Sequence, residues 1–362
     1  MTRQIRKLTV TGSPYEMGHA HGVAYRDAIR EYTSERIDLV CEGTWSGGPM
    51  SREAVLAIAE ECLPAHKAYA ADLYEEWQGL AAATELSMAE LLIVGGFTDF
   101  VDVVYNRYQA TTKTHIDDCT SFIVPDSTAD GMGFFGQTWD MHASAEPYVI
   151  LLDVQPTGGT RSLIFTTTGC LGQIGMNEHG VCIGINNLSG AAGQVGVTWN
   201  FVVRKALQQT NAEDALACLT EANLAGAHNY LIFDANGSGY NVEAMAADLH
   251  IEKLEANPIV HTNHCVIPAM LELQQVRSAE RMVSTSQRLD DGYHWLEKRP
   301  ITADHLIALT RDENAICQRG DDAFHILSCG AAIMRPQTNE MWAVWGVPAD
   351  YEYQKFDVTA IA

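Results

Sequence analysis

Apolar positions recur at helical spacing over the first hundred residues and alternate over much of the remaining chain. From Pro14 to about Tyr108 the runs are long, charged and amphipathic: through Arg36, then 51–78, then 87–107. Ser13 ahead of Pro14 predicts an N-cap with proline at the first helical position, and Gly43-Thr44-Trp45-Ser46-Gly47-Gly48-Pro49 connects the first two runs. After His115 the texture changes to short β-rich runs such as 121–124, 133–138, 148–154 and 162–168, separated by Gly, Pro, Asn and Asp. Two helical patterns, 197–209 and 212–222, interrupt the strands, which resume at 229–234, 240–244, 249–254 and 259–261. A helix pair comes next, at 271–289 and 302–310. Two alternating segments, 325–334 and 340–344, close the chain around Arg335-Pro336-Gln337-Thr338-Asn339. Strands and helices in blocks predict the segregated layers of an α+β fold, not a wound βαβ sheet. No internal repeat or low-complexity tract breaks this pattern.

The chain has 362 residues, 47% hydrophobic and 19% charged, enough for one large domain or two ordinary ones. Its 46 acidic and 23 basic residues give a net charge of −23, which repels phosphate backbones and anionic lipid. Nucleic acid and membrane surfaces are therefore poor partners. No stretch reaches the roughly eighteen apolar residues of a membrane span, and the first seven residues lack a signal-peptide core, so a soluble cytoplasmic protein is expected. Nine cysteines, an odd number and never in Cys-x-x-Cys spacing, fit a reducing compartment and read as core residues. Oligomeric state is not legible.

One cysteine stands apart. The helical-to-β boundary falls on Thr114-His115-Ile116-Asp117-Asp118-Cys119-Thr120-Ser121-Phe122. Read alone, Cys119 is a small buried residue in a capped strand; it is also where chain scission would expose an N-terminal nucleophile. Further motifs occur in order: Gly136-Gln137-Thr138-Trp139-Asp140, then Gly175-Met176-Asn177-Glu178-His179-Gly180-Val181-Cys182-Ile183-Gly184-Ile185-Asn186-Asn187, then His261-Thr262-Asn263-His264. With the opening Gly12-Ser13-Pro14-Tyr15-Glu16-Met17-Gly18-His19-Ala20-His21-Gly22 and the closing Trp342-Ala343-Val344-Trp345-Gly346-Val347-Pro348, the chain resembles the penicillin acyltransferase family of N-terminal nucleophile enzymes. More distantly it is similar to the choloylglycine hydrolases.

That resemblance implies an αββα sandwich of two antiparallel sheets between helical layers, with a helical N-terminal segment, 1–118, separated by self-cleavage at Asp118-Cys119 from a catalytic core, 119–362. Cys119 is then the nucleophile, and its freed α-amine, with a reference pKa of about 7.7–8.0, is the general base. Asp140 corresponds to the aspartate that orients the amine, Asn263 to the side-chain donor of the oxyanion hole, and Asn186 or its neighbour Asn187 to a second polar group at the same oxygen. Arg281, with Arg277 as the competing choice, corresponds to a late supporting arginine. Gln137 stands where the bile-salt hydrolases carry an arginine, a neutral contact in place of a charged one. Asp118 replaces the family's glycine and puts a carboxylate beside the thiol, which would either assist processing or repel the thiolate.

Each of these residues also has a plain structural reading: turn-capping for Asp140, strand-closing for Asn263, surface ion pairing for Arg281. His19 with His21, and His261 and His264 with Cys265, match no standard metal spacing, so neither a metal nor another cofactor is expected. Gly169, Gly172 and Gly175 depart from the phosphate-binding Gly-x-Gly-x-x-Gly pattern. The expected function is hydrolysis of a linear C–N amide bond in a small N-acyl molecule through a thioester. Acyl transfer to a small amine is the alternative within that chemistry, and a noncatalytic or metal-binding member of the fold the alternative outside it.

Overall fold

A computed structural model of the chain describes residues 3–43, 45–108, 118–188, 190, 192–275, 277–320 and 325–359. Residues 114–117 of the helical-to-β boundary lie outside the described residues, as does Thr44. The chain opens with β1 (Lys7–Gly12) and six helices: α1 (Pro14–Ala24), α2 (Arg26–Glu42), α3 (Arg52–Tyr69), α4 (Ala71–Thr84), α5 (Met88–Gly95) and α6 (Phe97–Tyr108). Each of the three long amphipathic runs is thus a broken pair of helices. Ser13 caps α1 as expected: its side chain accepts from the Glu16 amide while Glu16 reaches back to the Ser13 amide.

The remainder is β2 (Thr120–Val124), β3 (Phe134–His142), β4 (Val149–Pro156), β5 (Ser162–Thr167), β6 (Ile174–Asn177), β7 (Cys182–Asn187), α7 (Trp199–Ala206), α8 (Ala212–Thr220), β8 (His228–Phe233), β9 (Gly239–Ala244), β10 (Leu249–Lys253), β11 (Ile259–His261), α9 (Ala279–Trp295), α10 (Ala303–Thr310), β12 (Ile326–Arg335), β13 (Glu340–Trp345) and β14 (Gln354–Asp357). The helix expected from 271 begins eight residues later, because Ser278 supplies the N-cap and Gln274 is drawn into a bridge with Gly190. The motif spanning 175–187 is a hairpin. Asn177 Oδ1 accepts from the His179 and Val181 amides, and Gly180 turns the chain at a φ of 76°.

Two sheets result, ordered β1-β4-β5-β6-β7-β8-β9-β10 and β11-β2-β3-β12-β13-β14. Among the described strands of the two sheets all pairings are antiparallel except β1 with β4, which the six intervening helices allow to run parallel. Alternation along β3 and its neighbours divides the apolar residues between two cores. Ile123, Phe135 and Met334 face the first sheet, while Phe122, Phe134 and Ile333 join Leu296, Ile301 and Leu306 beneath α9 and α10. With α7 and α8 against β7–β9 on the far side, the layers are helix, sheet, sheet, helix. Among the described residues no helix is long and apolar enough to cross a membrane.

The opening Gly18-His19-Ala20-His21-Gly22 acquires a packing reason. A Cβ at Gly18 would lie 1.8 Å from the Glu76 carbonyl oxygen, and one at Gly79 would lie 2.1 Å from that of Tyr15, so α1 and α4 cross at backbone contact. Gly18→Ala is expected to lower stability by about 1–3 kcal/mol through overpacking, measured as a reduced urea midpoint at unchanged slope.

Candidate active site

Strand pairing positions Cys119. Thr120 pairs with Thr138 across β2 and β3, and just beyond the strand end the Asp118 amide donates to the Asp140 carbonyl at 3.3 Å while Cys119 Sγ lies 3.8 Å from the same oxygen. Cys119 is 2% exposed and lines a narrow cavity of about 30 Å³ with Tyr32, Phe97, Trp139, Asn187, Trp199 and His228. That volume holds a water or two. Two of these walls, Tyr32 and Phe97, come from the N-terminal helical segment.

Asp118 is fully buried between two arginines. Its Oδ2 accepts from Arg281 Nη1 at 2.5 Å and its Oδ1 from Arg288 Nη2 at 3.0 Å. Both oxygens are held by guanidiniums, so the carboxylate anchors the residue before Cys119. Arg288 also donates to the Cys119 carbonyl at 2.5 Å, to Thr120 Oγ1 at 3.3 Å and to Asn263 Oδ1 at 3.1 Å. With its oxygen held there, Asn263 turns its NH₂ group to the Asn187 carbonyl, 3.2 Å away, and its backbone amide donates to Thr285 Oγ1. Of the two supporting arginines weighed from sequence, Arg281 reaches Asp118 and Arg277 donates to the Asn187 carbonyl at 3.3 Å. Of the two asparagines, Asn187 lines the cavity, while Asn186 Oδ1 accepts from Ser121 Oγ at 2.5 Å and ties the sheets together. Gln137 does likewise, donating to the Ile185 carbonyl. Gly184 makes room for it, since a Cβ there would lie 2.2 Å from Gln137 Oε1.

The sequence from 127 to 350, more than half of the chain, matches the family described as Acyl-coenzyme A:6-aminopenicillanic acid acyl-transferase. The chain belongs to this acyltransferase family. Over 334 residues, 88% of each chain, it is 24% identical to the acyl-coenzyme A:6-aminopenicillanic-acid-acyltransferase 40 kDa form of Emericella nidulans. Among solved structures it is similar to a variant of the conjugated bile acid hydrolase of Clostridium perfringens, at 14% identity and a TM-score of 0.46 over 66% of this chain and 97% of that one. It is also similar to the Caenorhabditis elegans ortholog of N-acylethanolamine-hydrolyzing acid amidase, at 14% identity and a TM-score of 0.42 over 60% and 93%.

The family match spans Asp140, Asn263, Arg281 and Arg288 but begins after Cys119. Two residues of this cluster and its cavity escaped the sequence reading. Arg288 left a signal: Arg281, Thr285, Arg288 and Gly292 form the buried stripe of α9, a polar face at helical spacing on an otherwise charged helix. His228 left none. It lines the cavity from β8, with Nδ1 2.9 Å from Asp99 Oδ1 and Nε2 3.1 Å from Thr98 Oγ1. The histidines considered as metal ligands have other partners: His261 faces Glu243 at 2.9 Å and His264 faces Thr285 at 2.9 Å.

Asp140 is the electrostatic outlier of this cluster. It is cross-strand partner to Ser328, whose hydroxyl donates to Oδ1 at 2.6 Å, and Thr138 donates to Oδ2 at 3.2 Å. Burial nevertheless pushes its carboxyl up to about 8, against the hydrogen bond from Ser328 and the charge of Arg288, with the Asp118 carboxylate adding to the rise. Between the ordinary 3.8 and about 8 the folded chain keeps a proton that the unfolded chain releases. Stability therefore falls as pH rises through that window, by at most about 1.4 kcal/mol per pH unit. Asp140→Asn in a Cys119→Ala background is expected to flatten this dependence, read as urea midpoints at pH 5 and 7.5; parallel slopes in both proteins would exclude Asp140 as its source.

Proposed function

We propose that the chain is a self-processing cysteine amidohydrolase that cleaves a linear C–N amide bond of small N-acyl molecules through a thioester. The observation that carries this reading is the convergence of Cys119, the Asp118-Cys119 peptide, Asn263 and Arg288 in one buried cluster beside a cavity. In processing, the Cys119 thiol adds to the Asp118 carbonyl carbon and the Cys119 nitrogen leaves with a proton. Water then hydrolyses the resulting thioester, ending one chain at Asp118 and freeing the α-amine of the other. The pairing of β1 with β4 and the position of Tyr32 and Phe97 in the cavity wall support continued association of the two products.

In turnover, the α-amine takes the thiol proton, and the thiolate attacks the substrate carbonyl. The Asn263 amide donates to the oxyanion, and Arg288 fixes which way that amide faces. The proton passes from the ammonium to the leaving amine, and water cleaves the thioester with the amine again as base. The nearby Arg288 guanidinium disfavours a protonated amine, which suits a base. Membership of an acyltransferase family supports a second reading, in which an amine replaces water in the last step. Hydroxylamine added to the assay separates the two: a hydroxamate formed at water's expense at millimolar concentration marks a transferase.

Purified protein is expected to resolve under denaturing conditions into fragments of about 13 and 27 kDa, in proportion to 118 and 244 residues of a 39.7 kDa chain, with Cys119→Ala remaining whole. N-terminal sequencing that never finds Cys119 in active enzyme overturns the mechanism. Asn263→Ala is expected to reduce kcat about 10²- to 10³-fold with little change in KM, measured on any amide the wild-type enzyme turns over.

A further inference from the structure

We propose that Glu243 is a positioning residue for Asn263, holding in place the short segment that carries the oxyanion-binding amide. The inference rests on the assignment of Asn263 as that amide. Glu243 lies on β9 and is fully buried, as is Asn263. A buried carboxylate needs donors, and this one finds them in one stretch of chain, 261–267. Its Oε1 accepts from the Val266 amide at 2.6 Å and lies 2.9 Å from His261 Nε2, while its Oε2 accepts from the Ile267 amide at 3.4 Å. On its other side the His261 ring meets the Thr262 carbonyl, 2.8 Å from Nδ1. Glu243 thus clamps the segment both before and after Asn263.

The other anchors of Asn263 lie on α9: its backbone amide donates to Thr285 Oγ1 at 3.0 Å and its Oδ1 accepts from Arg288 at 3.1 Å. They fix the residue against the helical layer. Its NH₂ group, however, faces the Asn187 carbonyl on β7 of the first sheet, and the cavity wall belongs to that sheet. Register places Glu243, Asn229 and Asn186 in one row across β9, β8 and β7. Glu243 therefore sets the height of the Asn263 segment against the same row of residues that ends beside Asn187. An oxyanion donor has to sit within a few tenths of an ångström of its place, and a shift of about 1 Å costs about 10²-fold in rate.

The test separates acylation of Cys119 from its alkylation in the full-chain protein. p-Nitrophenyl acetate acylates a thiolate through a tetrahedral oxyanion and releases p-nitrophenolate, whereas iodoacetamide alkylates it by displacing iodide, with no oxyanion. Peptide mass spectrometry assigns each modification to Cys119, and Cys119→Ala supplies the background. Glu243→Ala is expected to slow acylation about 10- to 100-fold and alkylation less than about threefold. Glu243→Gln, whose amide oxygen still accepts from the Val266 amide and from His261, is expected to stay within about threefold of wild type in both reactions. In an Asn263→Ala background, Glu243→Ala is expected to slow acylation by less than about a further threefold, because the amide it positions is gone. Where Glu243→Ala does not fold, Glu243→Asp, one methylene shorter, takes its place with an expected loss of about 5- to 20-fold. An unchanged acylation rate, equal losses in the two reactions, or a loss that multiplies that of Asn263→Ala overturns the proposal. Asn263→Ala acylated as fast as wild type overturns instead the oxyanion assignment on which it rests.

Discussion

A carboxylate removed from water has to be answered by positive charge, and Asp118 is answered twice, by Arg281 and Arg288 of the same helix. Much of the site depends on that arrangement. Arg288 can hold the Cys119 carbonyl, Thr120 and Asn263 together only because α9 lies with its polar stripe turned inward against β11 and β2. Loss of either partner from a buried pair of this kind costs about 3–5 kcal/mol, since the remaining charge has no water to turn to. The interaction that offsets the buried Asp118 charge is therefore also the one that fixes the Asp118-Cys119 peptide.

Rigid strands carry the rest of the alignment. β3 runs between two cores, with one set of alternate residues packed against the first sheet and the other against α9 and α10. Asp140, two residues before its end, is held from three sides: by its own strand through Thr138, by β12 through Ser328, and by the backbone contacts it makes with Asp118 and Cys119. A side chain confined in this way does not relax toward solvent, and desolvation accordingly dominates its protonation. Gln137 and Asn186, on strands of opposite sheets, use their amides to join the two layers close to Cys119.

Local pattern made much of this legible. Helical spacing, alternation, the Ser13 cap and the blocks of strands and helices are properties of neighbouring residues, and they yielded the segregated α+β layers and many elements to within a few positions, while the αββα order came from the family resemblance. Cys119 could be singled out because it falls where one periodicity gives way to another. The errors were local as well: the long helical runs divide into pairs, and α9 starts at its Ser278 cap, not at the apolar residues near 271.

The sequence by itself determined the types of most elements, though not the strands β1, β6, β7 and β14, and it marked the boundary at Cys119 and the short motifs around Asp140, Asn186 and Asn263. Tertiary structure alone decided that β1 joins β4, that Asn187 and His228 line the cavity, and that Arg288 is the hub of the site. The physical reason is range. Periodicity is set by residues three or four apart, whereas the compensation of a buried charge depends on which distant groups the fold brings together, and Arg281 and Arg288 lie 163 and 170 residues from the carboxylate they hold.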